Sequence, residues 1–274
     1  MKKFFFIDFD NTIFSHRTGS IPESALQALS ALRKDGHKFI LATGRDIRRD
    51  SADFAGYHLH PDCLISANGA VVEAEGNILS DTFFDPDLQK RLLDFIFTKK
   101  YSLTARIDDQ WYAFHLKPAP FLKRRKVQAQ ILTEKDFGIL YKKSFRAFFL
   151  PDSPEAIQDV QKHFPELDLL RMGEELGGAD VVPAGNNKAR GIPLILNYYG
   201  ASVEDAVAIG DSMNDLEMIR LAGLGIAMGN AMPEVQRAAD YVAKDVDESG
   251  LSDAIRYALH RQRTSAVSPP PAED

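Results

Sequence analysis

Apolar runs that end abruptly in polar clusters set the strongest limit on what this chain can fold into. Phe4-Phe5-Phe6-Ile7 runs into Asp8-Phe9-Asp10-Asn11-Thr12. Phe39-Ile40-Leu41-Ala42 runs into Thr43-Gly44-Arg45, and Ala206-Val207-Ala208-Ile209 into Gly210-Asp211-Ser212-Met213-Asn214-Asp215. Short runs without alternation are the signature of strands buried on both faces, as in parallel sheets covered by helices. The segments between them supply the helices. Pro22-Glu23-Ser24 opens one that continues to Asp35, with Ala25, Leu26, Leu29 and Leu32 on one face and Gly36 at its stop. Further helices are expected over Ile47–Gly56, Lys188–Tyr199, Asp215–Leu221, Met232–Ala239 and Leu251–His260. Strands are expected over Lys3–Phe9, Lys38–Ala42, Asp62–Ser66, Ala206–Ile209, Leu224–Ala227 and Tyr241–Ala243. Ala70-Val71-Val72, which follows Asn68-Gly69, and Ile78-Leu79, after Glu75-Gly76-Asn77, read as a hairpin. The pattern predicts an α/β fold, a doubly wound and mostly parallel sheet.

The middle of the chain reads differently. Helical patterns over Pro86–Lys99, Pro120–Leu132 and Pro154–His163 mix with strand patterns over Tyr101–Ile107, Trp111–Leu116 and Phe145–Leu150. This predicts an α+β module inserted into the α/β part. The expected division is a core of residues 1–84 and 185–263, an insert of 85–184 and a disordered Pro-rich tail of 264–274.

Composition narrows the function classes. The 274 residues carry a net charge of −6, which gives no overall attraction for nucleic acid. The basic run Lys123-Arg124-Arg125-Lys126 is expected to be the solvated face of a helix. The single cysteine, Cys63, excludes an intramolecular disulfide and sits in an apolar run, as a buried strand residue would. No stretch reaches the length of a membrane span. The chain is therefore expected to be cytoplasmic, without nucleic-acid or membrane partners.

In open parallel sheets, sites form outside the carboxyl ends of the strands. The three polar clusters are thus expected to converge, and Gly185-Asn186-Asn187-Lys188 can bring Lys188 to them from a helix start. Asp8, Asp10 and Asp211 would crowd three negative charges together. A divalent cation relieves such repulsion, and an all-oxygen set suits magnesium. Thr43, Lys188 and Asn214 add donors for a dianionic group. Carboxylates, a hard metal, lysine and hydroxyl donors are the parts of phosphoryl transfer.

These four clusters, in this order, resemble the four motifs of the haloacid dehalogenase-like phosphatase superfamily. The insertion and the Asn68-Gly69-Ala70 segment resemble its Cof-type sugar-phosphatase branch, with a large type IIB cap, over the chain up to about Leu259. The resemblance implies a Rossmann-like core and a magnesium cofactor. It implies a small phosphorylated metabolite as substrate, most often a sugar phosphate. Asp8 would be the nucleophile that forms an aspartyl phosphate, and Asp10 the general acid and base. The metal would be held by Asp8, the backbone carbonyl of Asp10 and Asp211. Thr43 and Lys188 would bind phosphoryl oxygens, helped by the backbone N–H groups of Phe9 and Gly44 and by Asn214. Asp215 would orient Lys188 or a water ligand, and Arg45 would face the cap and substrate. Cap candidates for the leaving group are Arg106, Asp108, Trp111, Tyr112, His115 and Arg171. Of the adjacent Trp111 and Tyr112, at most one can face the site.

Two positions depart from the family pattern. Asn11 stands where glycine is commoner, and Asn tolerates a positive φ best among the alternatives. Asn186 replaces a small apolar residue. Two other functions remain compatible with the motifs: a phosphotransferase or mutase with the same nucleophile, and a non-catalytic phosphate and metal sensor. Oligomeric state is not readable from the sequence.

Overall fold

The structure is a computed structural model that describes residues 2–47, 56–107, 110–115, 129–151, 154–171 and 178–265. The chain begins with β1 (Phe4–Asp8), α1 (Glu23–Lys34), β2 (Lys38–Ala42) and β3 (Cys63–Ser66), followed by the hairpin β4 (Val71–Ala74) and β5 (Asn77–Asp81). It leaves this sheet through α2 (Pro86–Lys99), β6 (Leu103–Ile107), β7 (Gln110–Phe114), β8 (Ala129–Leu132), β9 (Phe148–Leu150), α3 (Pro154–His163), β10 (Leu167–Arg171) and β11 (Ala179–Pro183). It then returns with α4 (Gly191–Tyr199), β12 (Ala206–Gly210), α5 (Leu216–Leu221), β13 (Leu224–Ala227), α6 (Pro233–Ala238), β14 (Tyr241–Val242) and α7 (Gly250–Ser265).

The first sheet has the order β14-β13-β12-β1-β2-β3-β4-β5. Strands β14 to β3 are parallel and the last two pairings antiparallel. This is the mostly parallel α/β sheet that the buried runs predict. β1 lies at its centre with all five residues buried. Helix α1 shows why the periodicity works: Ala25, Leu29 and Leu32, four and three residues apart, are its buried stripe, and Gly36 at φ 82° ends it. This layer forms one apolar core, reaching from Phe4 to Ala258.

The second sheet has the order β10-β11-β9-β6-β7-β8 and its own apolar core, from Phe84 to Val181. Helix α2 opens it cleanly. Asp85 accepts the Asp87 and Leu88 amides at 3.0 Å each, and Pro86 occupies the first turn, where no amide is needed. Register separates the two faces of this sheet. Leu103, Ala105, Phe114, Phe148, Leu150 and Val181 face the helices, with Tyr112 packed against them. Thr104, Arg106, Trp111, Ala113, Phe149 and Asp180 share the opposite face.

That opposite face meets the carboxyl ends of the first sheet. Arg106 Nη1 donates to the Asp46 carbonyl at 2.9 Å, and Asn68 Nδ2 to Asp180 Oδ2 at 2.8 Å. Arg146 spans Asp81 and Asp46, with its Nε 2.8 Å from Asp81.

The structure corrects the helix expected over Pro120–Leu132. Its described part, Ala129–Leu132, is strand β8, paired parallel with Trp111–Phe114. The open edge of β7 supplies partners for its backbone groups, and this outweighs the helical spacing of Val127, Ile131 and Leu132. Strands β10 and β11 were not expected at all. Helix α7 continues through Thr264 and Ser265, the first two residues assigned to a disordered tail. Most of the helix expected over Ile47–Gly56, together with Asp108 and the basic run 123–126, lies outside the described residues. Cys63 is a buried free thiol in β3.

Candidate active site

Parallel pairing carries three strands to one end. Asp8 closes β1 opposite Ala42 of β2, and Ile7 is in register with Ile209 of β12. Asp8, Thr43 and Asp211 therefore emerge side by side, as sequence reasoning expected.

Asp8 is 3% exposed. Its Oδ1 accepts from Lys188 Nζ at 2.6 Å, while its Oδ2 is buried without a hydrogen-bond partner. Lys188 is wholly buried and also donates to Asp215 Oδ1 at 2.5 Å. Asp215 Oδ2 accepts the backbone amides of Asp211 and Ser212 at 3.0 Å each. The chain must pass very close to Asp215 here, because a Cβ on Gly210 would lie 2.4 Å from its carboxyl carbon. Oxygens of Asp8, Asp211 and Asp215 lie within 4.8 Å of one another.

Three buried carboxylates against one lysine leave excess negative charge. Burial, and then the neighbouring Asp215, push Asp8 up to about 7 against the pull of Lys188. Burial and Asp8 push Asp211 well above the usual carboxylate range. Burial works to lower Lys188, but Asp215 and Asp8 outweigh it and hold the ammonium charged. A divalent cation would remove this mismatch. The donor set fits one: it is all oxygen, without His or Cys, and Asp8 Oδ2 is an unmatched acceptor. Both oxygens of Asp215 are already engaged, so Asp8 and Asp211 are the side chains left to bind it.

Asp10 points elsewhere. Arg45 grips it with Nε at 3.0 Å and Nη2 at 2.5 Å, and His16 Nε2 lies 2.7 Å from Oδ1. Arg45 was expected to face the cap. It binds Asp10 and lies 4.6 Å above the Phe9 ring. The Asp10 side chain is therefore not in the carboxylate cluster, and only its backbone remains for the metal role implied by the family. The loop after β1 closes as the amides of Ile13 and Phe14 donate to the Phe9 carbonyl, with Asn11 at φ 57°. Asn11 is thus the tolerated substitute for glycine that the sequence suggested.

Thr43 is fully buried, and its Oγ1 accepts the Arg45 amide at 3.1 Å. The hydroxyl proton remains available to an anion. Asn214 Nδ2 donates to Asn68 Oδ1 at 3.0 Å, and Gly44 packs against that bond. Asn186 is buried and accepts from Arg190, and its Nδ2 lacks a partner.

Among the cap candidates, Arg106 and the half-buried Trp111 sit together, the guanidinium 6.0 Å from the indole, on the face toward the core. Tyr112 packs into the cap core. His115 is not brought to them. It lies four residues further along the hairpin, about 13 Å away at strand rise, with its ring against Phe114 and Nε2 4.0 Å from Glu134. Arg171, in register with Ala179, falls on the helix-covered side. Sequence reasoning missed His16, Asp46, Arg146 and Asp180 as residues at this junction. Asn68 carried a signal only as part of the Asn68-Gly69-Ala70 likeness to the Cof-type branch.

This fold and its buried carboxylate–lysine cluster define a phosphatase of the α/β class with an inserted second sheet. A family model for haloacid dehalogenase-like hydrolase matches residues 5–255, and the chain belongs to that family, in its Cof-type branch. The protein YkrA of Bacillus subtilis (strain 168) is 31% identical over 258 residues, covering 93% of this chain and 96% of its own. The 5-amino-6-(5-phospho-D-ribitylamino)uracil phosphatase YitU of the same organism is 25% identical over 261 residues, with 91% and 95% covered. Among solved structures, the phosphatase BT1666 from Bacteroides thetaiotaomicron superposes with a TM-score of 0.82 at 26% identity, covering 94% of this chain and 95% of its own. The subclass IIB sugar phosphatase BT4131 superposes at 0.81 and 26% identity, with 94% and 99% covered. No helix among the described residues is long and apolar enough to cross a membrane.

Proposed function

We propose that the chain is a magnesium-dependent phosphomonoesterase of small phosphorylated metabolites, sugar phosphates foremost, working through an aspartyl phosphate on Asp8. The observation that carries this reading is the Asp8 carboxylate. It is buried, anchored through Oδ1 by Lys188, and has Oδ2 unengaged. Magnesium, held by Asp8, the Asp10 carbonyl and Asp211, would supply charge neutralisation and Lewis acidity.

The chain's own residues account for the remaining steps. Asp8 Oδ2 attacks phosphorus while the bond to the leaving oxygen breaks. Lys188, the Thr43 hydroxyl, Asn214 and the amides of Phe9 and Gly44 hold the phosphoryl oxygens. Asp10 gives its proton to the departing alcohol. It then takes one from the water that attacks phosphorus, which frees Asp8 and phosphate. Arg45 holds Asp10 as an acceptor here, so the acid role requires Arg45 to release it. Residues 85–184 act as a cap over this pocket, with Arg106 and Trp111 facing the leaving group. Two subclass features support a sugar phosphate: the type IIB likeness and a face that mixes a cation with an indole. Other phosphorylated metabolites fit the same face.

A panel of phosphorylated metabolites tests the reading, with phosphate release and alcohol-acceptor transfer measured side by side. Phosphate should be released, release should stop in chelator, and magnesium should restore it. Calcium should not, because its looser coordination misplaces in-line attack. Full activity in chelator would contradict the reading, and dominant transfer would make the enzyme a phosphotransferase.

A further inference from the structure

Asn68 joins the two sheets through its side chain alone. Its Oδ1 accepts from Asn214 Nδ2 at 3.0 Å, its Nδ2 donates to Asp180 Oδ2 at 2.8 Å, and it is fully buried. The polarity of this chain of bonds is fixed from the cap end. A carboxylate accepts and does not donate. Asp180 therefore turns the Asn68 NH2 toward β11 and leaves its carbonyl facing the core. Asn214 must then present its own NH2, and its Oδ1 takes the Ser212 hydroxyl at 2.8 Å. An amide nitrogen carries two hydrogens. Asn68 takes one, and the second is the one that a phosphoryl oxygen would accept on the phosphatase reading. With Asn68 reversed, two NH2 groups would confront each other.

The backbone holds Asn68 in place. Ala67, Asn68 and Gly69 follow one another at φ 48°, 52° and 91°, a left-handed run unfavourable for alanine. The Ala67 amide donates to the Arg45 carbonyl at 2.8 Å and the Asn68 amide to the Thr43 carbonyl at 3.2 Å. A Cβ on Gly69 would strike the Asn187 carbonyl at 2.1 Å. Segments bearing Thr43, Arg45 and Lys188 thus all brace this residue, although it touches neither Asp8 nor Lys188 through its side chain.

We infer that Asn68 is a positioning residue through which the cap sets the donor orientation of Asn214, so that a phosphoryl group is held fully only with β11 docked on the core. The inference rests on the phosphatase reading of the core. By reciprocity, an anion that orients Asn214 also favours the docked cap.

The test is a double-mutant cycle on the binding of inorganic phosphate with magnesium present, followed by 31P NMR titration or calorimetry. Asp180→Ala should weaken phosphate about fivefold, one hydrogen bond's worth, although Asp180 lies on the cap. The same substitution in an Asn214→Ala background should change it less than about twofold. Asn68→Gly, whose backbone suits φ 52°, should reproduce the loss, and it serves if Asp180→Ala does not fold. A purely structural role would lower thermal stability in both backgrounds without this non-additivity. Equal weakening in both backgrounds, or unchanged binding in Asp180→Ala and Asn68→Gly, overturns the relay and leaves the phosphatase reading intact. Failure of the wild-type chain to bind phosphate or hydrolyse any ester overturns that reading, and the relay with it.

Discussion

Replacing Asp8 by asparagine should stabilise the metal-free protein while abolishing turnover. The carboxyl is buried, and burial first and Asp215 second raise it from 3.8 to about 7. At pH 8 the folded and unfolded chains both carry the charge, and only the folded one bears the penalty. The difference between 3.8 and about 7 sets a ceiling of about 4 kcal/mol. Asparagine has nearly the same shape, and its Oδ1 can still accept from Lys188. Its Nδ2, placed where Oδ2 has no partner, costs about 1–3 kcal/mol. The net gain should be about 1–3 kcal/mol, or roughly 2–5 °C in Tm for a protein of this size. The sign then follows pH. As pH falls through 7, folded wild type takes up a proton that the unfolded chain refuses until about 3.8. Its stability therefore rises, and the advantage of Asp8→Asn shrinks. Magnesium should reverse the order at pH 8, because a bound cation stabilises wild type by mass action. Thermal unfolding in chelator at pH 8 and pH 5.5, with and without magnesium, reads all of this. An Asp8→Asn protein less stable than wild type at pH 8 in chelator would refute the charge-crowding argument. Near-wild-type turnover would refute the nucleophile.

Asp10→Asn should slow alkyl phosphates far more than aryl phosphates, whose leaving groups need no proton, as kcat/KM across a leaving-group series will show; equal losses would remove Asp10 from the acid role. Arg106→Ala and Trp111→Ala should change substrate preference mainly through KM, whereas Thr43→Ala should depress every substrate alike, by on the order of 100-fold for a lost transition-state donor. A uniform loss in Arg106→Ala would place the guanidinium in the phosphoryl site instead.

The parts of the site that lie on single strand ends were legible in the sequence. A buried run must stop where its carboxylate appears, so Asp8, Thr43 and Asp211 announced both their element and their shared end of the sheet. Lys188 was legible as a helix-start residue, and the structure bonds it to Asp215. Contacts made by docking one layer on another were not legible. Asp180 looks like any polar residue of a half-covered strand until β11 is placed opposite Asn68, 112 positions away. Arg146 finds Asp46 across 100 positions. The grip of Arg45 on Asp10 depends on the loop closing over Phe9, which no periodicity reports. In the second sheet, β8 failed as a strand reading because Ile131 is 60% exposed and only Leu132 is buried. An edge strand with so little burial has no alternation to read.

Chain order gives β1 an awkward history. Its first neighbour, β2, starts at Lys38, but its second, β12, starts at Ala206, beyond the whole second sheet. At about 5–20 residues per second, synthesis from β5 to β12 takes on the order of 10 s. Through that interval the Phe4-Phe5-Phe6-Ile7 strand has hydrogen-bond partners on one side only. An apolar, uncharged edge of this kind is a template for pairing with another chain. The second sheet has its own core and can close meanwhile, so the nascent hazard is concentrated in the first 84 residues. The strand that carries Asp8 is also the one that waits longest for its other half.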